Sequence, residues 1–168
     1  MSRKINSKEY FRTLNLIYYV QLSAMTALAL VAYYLIQQGD VGTENNELAI
    51  SFQKIIMIVI PISLGAGYIL FRMLLRTVNP EMPLVYKMKK YFSANLIRSA
   101  FLEIPGLFVS VAAIITAHSL FLLIVPLILI LFLLFRPSRS VIAQELGLSI
   151  EERSKLEDPK AIISESIE

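Results

Sequence analysis

Glu103 is the one carboxylate of this sequence set inside a long apolar segment. A charge is costly to bury there, so it calls for a cation, a proton or water beside it. Ser99, Glu103, Gly106, Ser110, Ala113 and Ala117 follow one another at steps of 4, 3, 4, 3 and 4 residues, the spacing of one helix face. Small side chains let helix backbones approach closely, so this face is expected to pack on neighbouring helices and carry Glu103 inward. Pro105 and Gly106 loosen the hydrogen-bond ladder just beyond the acid. Three roles stay open for Glu103: a structural carboxylate paired with arginine, a proton or cation site, or an interfacial acid in water. Arg72, Arg98, Arg136 and Arg76 are its candidate partners, with Arg72 foremost because it stands about one turn inside the end of its helix.

Other groups suggest packing more than catalysis. Gln21, Ser23 and Thr26 are candidate interhelical hydrogen-bonding groups, with Asn15 nearer the surface. Ser63 and Gly67 form a small-xxx-small packing motif. His118 is the only histidine, and the chain has no Cys, so a thiol nucleophile, a disulfide and a thiolate or multi-histidine metal centre are excluded. No nucleophile–base pair and no phosphate-binding glycine loop is visible. We expect no enzyme, no metal and no cofactor.

The elements that must hold these residues are membrane spans. Of 168 residues 56% are hydrophobic and only 17% charged, against roughly 45–50% and about 25% in average globular chains. Thr13–Gly39 is an uncharged run of 27 residues behind a basic N-terminus. That is about twice the apolar core of a secretory signal, so it reads as a retained spanning helix over 13–37. Tyr18 and Tyr19 near one end and Tyr33 and Tyr34 near the other fit interfacial aromatic belts. Residues 38–53 read as a polar loop, and a second helix over 54–76 contains the 17 uncharged residues Ile55–Phe71 and a tolerated Pro61. Residues 84–96 read as an amphipathic helix lying in the interface. The 32 uncharged residues 104–135 would make a helix of about 48 Å, too long for a hydrocarbon core of about 30 Å. The cluster Thr116-Ala117-His118-Ser119 divides them into helices over 97–117 and 119–135. The fourth helix has no Gly, Ser, Ala or charge and is expected to face lipid or a partner most fully.

Charge placement agrees with four spans. Fifteen of the sixteen Lys and Arg fall in three groups, at 1–12, 72–98 and 136–160. Four spans put all three groups on one side, and the positive-inside bias makes that side cytoplasmic. The expected fold is thus an all-α, integral-membrane four-helix bundle of two hairpins over residues 1–145, in the inner membrane with both termini cytoplasmic. A short tail, 146–168, carries the Gly147 stop and a Ser149-x-x-Glu152 capping box. Its last residues, AIISESIE, are expected to fray. Net charge +3 is topological here, and nucleic acid is not an expected partner.

Residues 89–153 carry a resemblance. The pattern is a basic lead-in, Arg98, the step Leu102-Glu103-x-Pro105, a short polar turn, an all-aliphatic helix and Arg136-Pro137. It resembles a largely uncharacterised family of small four-helix membrane proteins from Bacteroidota, some of them labelled transporters. The resemblance implies the four-helix layout and no mechanism. Small multidrug transporters differ in keeping their essential glutamate in the first helix, which here is uncharged, and rotary-ATPase proteolipids need more glycine than the six present. Two functions remain: an accessory or scaffold subunit of a membrane assembly, working with lipid, other subunits or copies of itself, and a small oligomeric transporter or channel using Glu103.

Overall fold

The computed structural model describes residues 4–39, 41 and 46–165. Among them the order is β1 (Lys4–Asn6), α1 (Ser7–Gln38), α2 (Asn46–Arg76), α3 (Leu84–Thr116), a 3-10 turn (Ser119–Leu123), α4 (Ile124–Leu134), α5 (Arg139–Glu145), α6 (Ile150–Glu157) and β2 (Ile162–Glu165). The protein is all-helical apart from the two short strands. Three helices, α1, α2 and α3, are long and apolar enough to cross a membrane, and the bent pair Ser119–Leu134 with Arg139–Glu145 allows a fourth crossing.

The helices run further than the apolar pattern suggests. α1 begins at Ser7, where the Asn6 side chain accepts the amide of Glu9 at 2.8 Å and so caps the first turn. α2 begins at Asn46, inside the stretch expected to be loop, because Ala49 is buried and Phe52 lies against Phe108 with ring centroids 6.1 Å apart. The acids Asp40 and Glu44 lie outside the described residues. α3 is a single helix through Pro105 and ends in a turn at the expected cluster. Ala117 takes φ 53°, its amide bonds the Ile114 carbonyl, and the His118 amide bonds that of Ala113. Those two bonds satisfy carbonyls that a helix end would otherwise leave bare.

The chain forms two compact units, one of Met1–Tyr18, Tyr68–Arg98 and Arg136–Glu168, the other of Tyr19–Gly67 and Ser99–Phe135. The first, the charged unit, contains fifteen of the sixteen Lys and Arg. Its core joins Tyr10, Phe11 and Leu14 of α1, Phe71 and Leu75 of α2, Met88, Tyr91 and Ala94 of α3, and Ile142, Leu146, Leu156 and Ile163 from the C-terminal elements. Strand β1 pairs antiparallel with β2, Ile5 opposite Ser164 and Asn6 opposite Ile162. Ser7 Oγ donates to the Leu156 carbonyl at 2.6 Å, in the same corner.

Residues 84–96 are helical and run without a break into 97–116 as α3, with Lys87, Met88, Tyr91 and Asn95 all buried in the charged unit. The Lys87 charge meets Glu152 of α6, far along the chain. Of the last residues, expected to fray, 162–165 form a strand whose partner is more than 150 residues upstream, and 166–168 lie outside the described residues.

The second, apolar unit holds the remaining halves of α1, α2 and α3, the 3-10 turn and α4. The most apolar stretch of α3 is 50% buried, against 17% for α1 and 22% for α2, which makes α3 the central helix. α4 is not uniformly exposed, because Val125, Ile128 and Phe132 form a buried stripe at steps of 3 and 4. Leu123, Leu127, Ile130 and Leu134 face outward.

Candidate functional site

The buried ionic centre lies in the charged unit and is built on Arg98. Its Nη1 donates to Glu145 Oε1 at 3.2 Å and its Nη2 to Asn95 Oδ1 at 2.8 Å. The guanidinium carbon stands 3.9 Å from the Phe71 ring centroid, a close cation–π contact. Glu145 accepts a second bond at 2.8 Å from the Tyr91 hydroxyl, and Tyr91 packs edge-on against Phe71. Tyr91, Asn95 and Arg98 recur at 4 and 3 on one face of α3, so helix spacing sets three of the four polar groups. α5 supplies the fourth. A second pair joins Lys87 Nζ to Glu152 Oε1 at 2.7 Å.

Glu152 is positioned by the turn before it. Ser149 Oγ accepts the Glu152 amide at 3.3 Å, and the Glu152 carboxylate accepts the Ser149 amide at 3.0 Å, a complete capping box. Burial by itself pushes the Glu152 carboxyl up, but the hydrogen bonds from Lys87 and Ser149 and the Lys87 charge outweigh it and hold the group below its ordinary value.

Glu103 is half-buried in the apolar unit and, among the described residues, is not paired with an arginine. Its carboxylate takes a hydrogen bond from the Gln21 side chain of α1. The arginines expected beside it are engaged or placed elsewhere: Arg98 pairs with Glu145, Arg72 Nε donates to the Tyr68 hydroxyl at 3.2 Å, and Arg72, Arg76 and Arg136 are exposed. The reason for Arg98 is rotational. Five residues of helix turn a side chain by about 140°, so Arg98 and Glu103 share no face. Gln21 Oε1 is buried without a partner among the described residues. Thr26 bonds back to the Leu22 carbonyl at 2.8 Å, and Ser23 is exposed, so neither joins the helices.

The packing residues lie as follows. Ser99, Gly106, Ser110 and Ala113 of α3 are all buried, as are Ser63 and Gly67 of α2. Ser63 Oγ crosses to the Phe101 carbonyl at 2.7 Å and fastens α2 to α3. Gly106 allows a close approach, since a Cβ there would meet the Met25 side chain of α1. Ala117 stands in the turn and not on the helix face. His118 packs against Phe121 with ring centroids 6.1 Å apart.

Sequence reasoning missed Glu145, Tyr91, Asn95 and the Lys87–Glu152 pair. Tyr91, Asn95 and Arg98 are legible as a polar stripe on α3, but Glu145 returns to them from α5, far along the chain, and Glu152 lies in the stretch read as tail. No family model matches this chain, and it matches no curated protein and no solved structure.

Proposed function

We propose that this protein is a four-span membrane protein with both termini on the cytoplasmic side, acting as an accessory or scaffold subunit. The observation that carries the reading is the pairing of β1 with β2. Segments 4–6 and 162–165 are hydrogen-bonded to each other, so they share one side of a membrane and the number of crossings between them is even. α1, α2 and α3 are long and apolar enough for three, and the bent pair Ser119–Leu134 with Arg139–Glu145 is the candidate for the fourth. Gathering the basic residues in the unit that holds both strands fits the positive-inside bias. The helices favour the same arrangement: at 1.5 Å per residue α1 to α3 exceed a 30 Å hydrocarbon core by about 15 Å or more. That excess is helix available to the charged unit. The buried charges of that unit are spent on one another, which suits a part that holds shape for a partner.

A second reading rests on Glu103 and Gln21. A half-buried carboxylate that meets a neutral amide, with an unpartnered Gln21 Oε1 beside it, is suited to holding a proton or a cation. Proteoliposomes of the purified full chain decide between the two. A scaffold gives no proton-linked flux, in wild type or in Glu103→Gln; flux that Glu103→Gln abolishes overturns it in favour of a transporter. Topology is tested by impermeant thiol labelling, clean here because the chain has no Cys. Ser119→Cys is expected to label from outside and Ser140→Cys from the cytoplasmic side.

A further inference from the structure

The end of α2 carries Tyr68, Arg72 and Arg76 at successive steps of four, on one exposed face. Ile69 and Met73 stand beside them, 58% and 57% exposed. With Leu75 and with Glu145 of α5, these side chains line an open groove of about 490 Å³ in the charged unit. Arg72 is held in place: its Nε donates to the Tyr68 hydroxyl at 3.2 Å and its guanidinium carbon lies 5.6 Å from that ring. This anchoring leaves the two terminal nitrogens of Arg72 for a ligand. Glu145 would repel an anion if its charge were open. Its charge is offset by Arg98 at 3.2 Å, and its other oxygen accepts the Tyr91 hydroxyl at 2.8 Å.

The geometry points to a binding site for an anionic phospholipid, with its phosphate between Arg72 and Arg76 and its acyl chains along Ile69 and Met73. Arginine is suited to the headgroup because its planar fork gives two parallel bonds to phosphate oxygens. The apolar wall separates a lipid from a free anion, which would gain nothing from Ile69 and Met73. The inference rests on reading α2 as a membrane span, since that reading sets residues 68–76 at headgroup depth.

The test uses the purified full chain in mild detergent, titrated with phosphatidylglycerol, with phosphatidylcholine of the same acyl chains, and with inorganic phosphate, and read by native mass spectrometry. Wild type is expected to prefer phosphatidylglycerol over phosphatidylcholine and to retain phosphate poorly. Arg72→Gln with Arg76→Gln should weaken phosphatidylglycerol roughly tenfold to thirtyfold, the scale expected for two basic side chains near a membrane surface. Both side chains are exposed, so the fold should survive, and an unchanged melting curve checks this. Ile69→Asn with Met73→Asn should weaken the lipid and leave phosphate unchanged. Arg139→Gln with Arg153→Gln removes the same charge elsewhere in the unit and should leave lipid binding intact. Equal loss in that control, or phosphate binding as tightly as lipid, overturns the assignment. Release of the protein from membranes by alkaline carbonate would instead overturn the reading of α2 as a span, and is scored separately.

Discussion

Lys87 and Glu152 are 65 residues apart in sequence and 2.7 Å apart in the structure, with the lysine side chain 2% exposed. This pair docks α6 onto α3, and its acid is also the capping residue of α6, so one carboxylate serves two contacts. Held below its ordinary value, Glu152 stabilises the folded chain above the pKa it has when unfolded. That contribution is lost as pH falls through the lower, folded-state value. Stability should therefore decline on acidification from about pH 5 downward. Melting curves against pH check this: Glu152→Gln should flatten the acid limb, and an unchanged limb would remove the pair from the account.

Arg98 and Glu103 give opposite expectations for loss of charge. Glu145→Leu takes the counter-charge from a buried guanidinium, which keeps only neutral contacts to Asn95 and Phe71 among those described above, and takes the acceptor from the Tyr91 hydroxyl. Breaking a buried pair costs about 3–5 kcal/mol in soluble hosts. Glu145 keeps 22% of its side chain exposed, so a loss of about 2–3 kcal/mol is expected. Glu103→Leu strands only the Gln21 amide and removes a desolvated charge, so its melting temperature should stay close to wild type. A larger loss in Glu103→Leu than in Glu145→Leu would contradict the placement of the ionic centre.

What the sequence revealed and concealed follows from chain distance. The long apolar helices, the break at Thr116–Ser119 and the capping box at Ser149 are local, each written in a few neighbouring residues. The small face of α3 is legible from its 4-3-4-3 spacing, whereas the Gln21 side chain that meets its acid is not. Arginine and glutamate attract in any reading that counts charges, whereas the pair that forms depends on rotation about α3 and on where α5 returns. The charged unit was invisible as a unit because three separated segments build it. β2 was invisible because a four-residue strand without its partner looks like any polar tail.

Ala117 occupies the left-handed position that ends α3, at φ 53°. A side chain with a Cβ pays about 1–2 kcal/mol there, and glycine does not. Ala117→Gly should raise stability by about 0.5–1 kcal/mol, the gain being reduced by the greater freedom glycine has when unfolded. Leu at the same site should not help. Thermal melting of both variants in one detergent is sufficient, and a destabilised Ala117→Gly would count against this turn.

Gly106 and Met25 mark a tight contact between α1 and α3. A Cβ at position 106 would lie 2.7 Å from Met25 Cγ and nearer still to its sulfur. Met25 is fully buried, 0% exposed, so it has no open side to turn towards. Gly106→Ala should therefore overpack the contact, at a cost of about 1–3 kcal/mol. Met25→Ala alone should cost about 2–5 kcal/mol through the lost contacts and the cavity left behind. The double variant is the informative one. The methyl added by Gly106→Ala then enters space that the Met25 side chain has vacated, and the clash that made the first variant costly is gone. The two losses should fall short of adding, by more than the few tenths of a kcal/mol seen for independent sites. Melting of wild type, both single variants and the double variant in one detergent completes the cycle. Strict additivity would show that the two side chains do not meet, and would place the close approach of α1 and α3 somewhere other than Gly106.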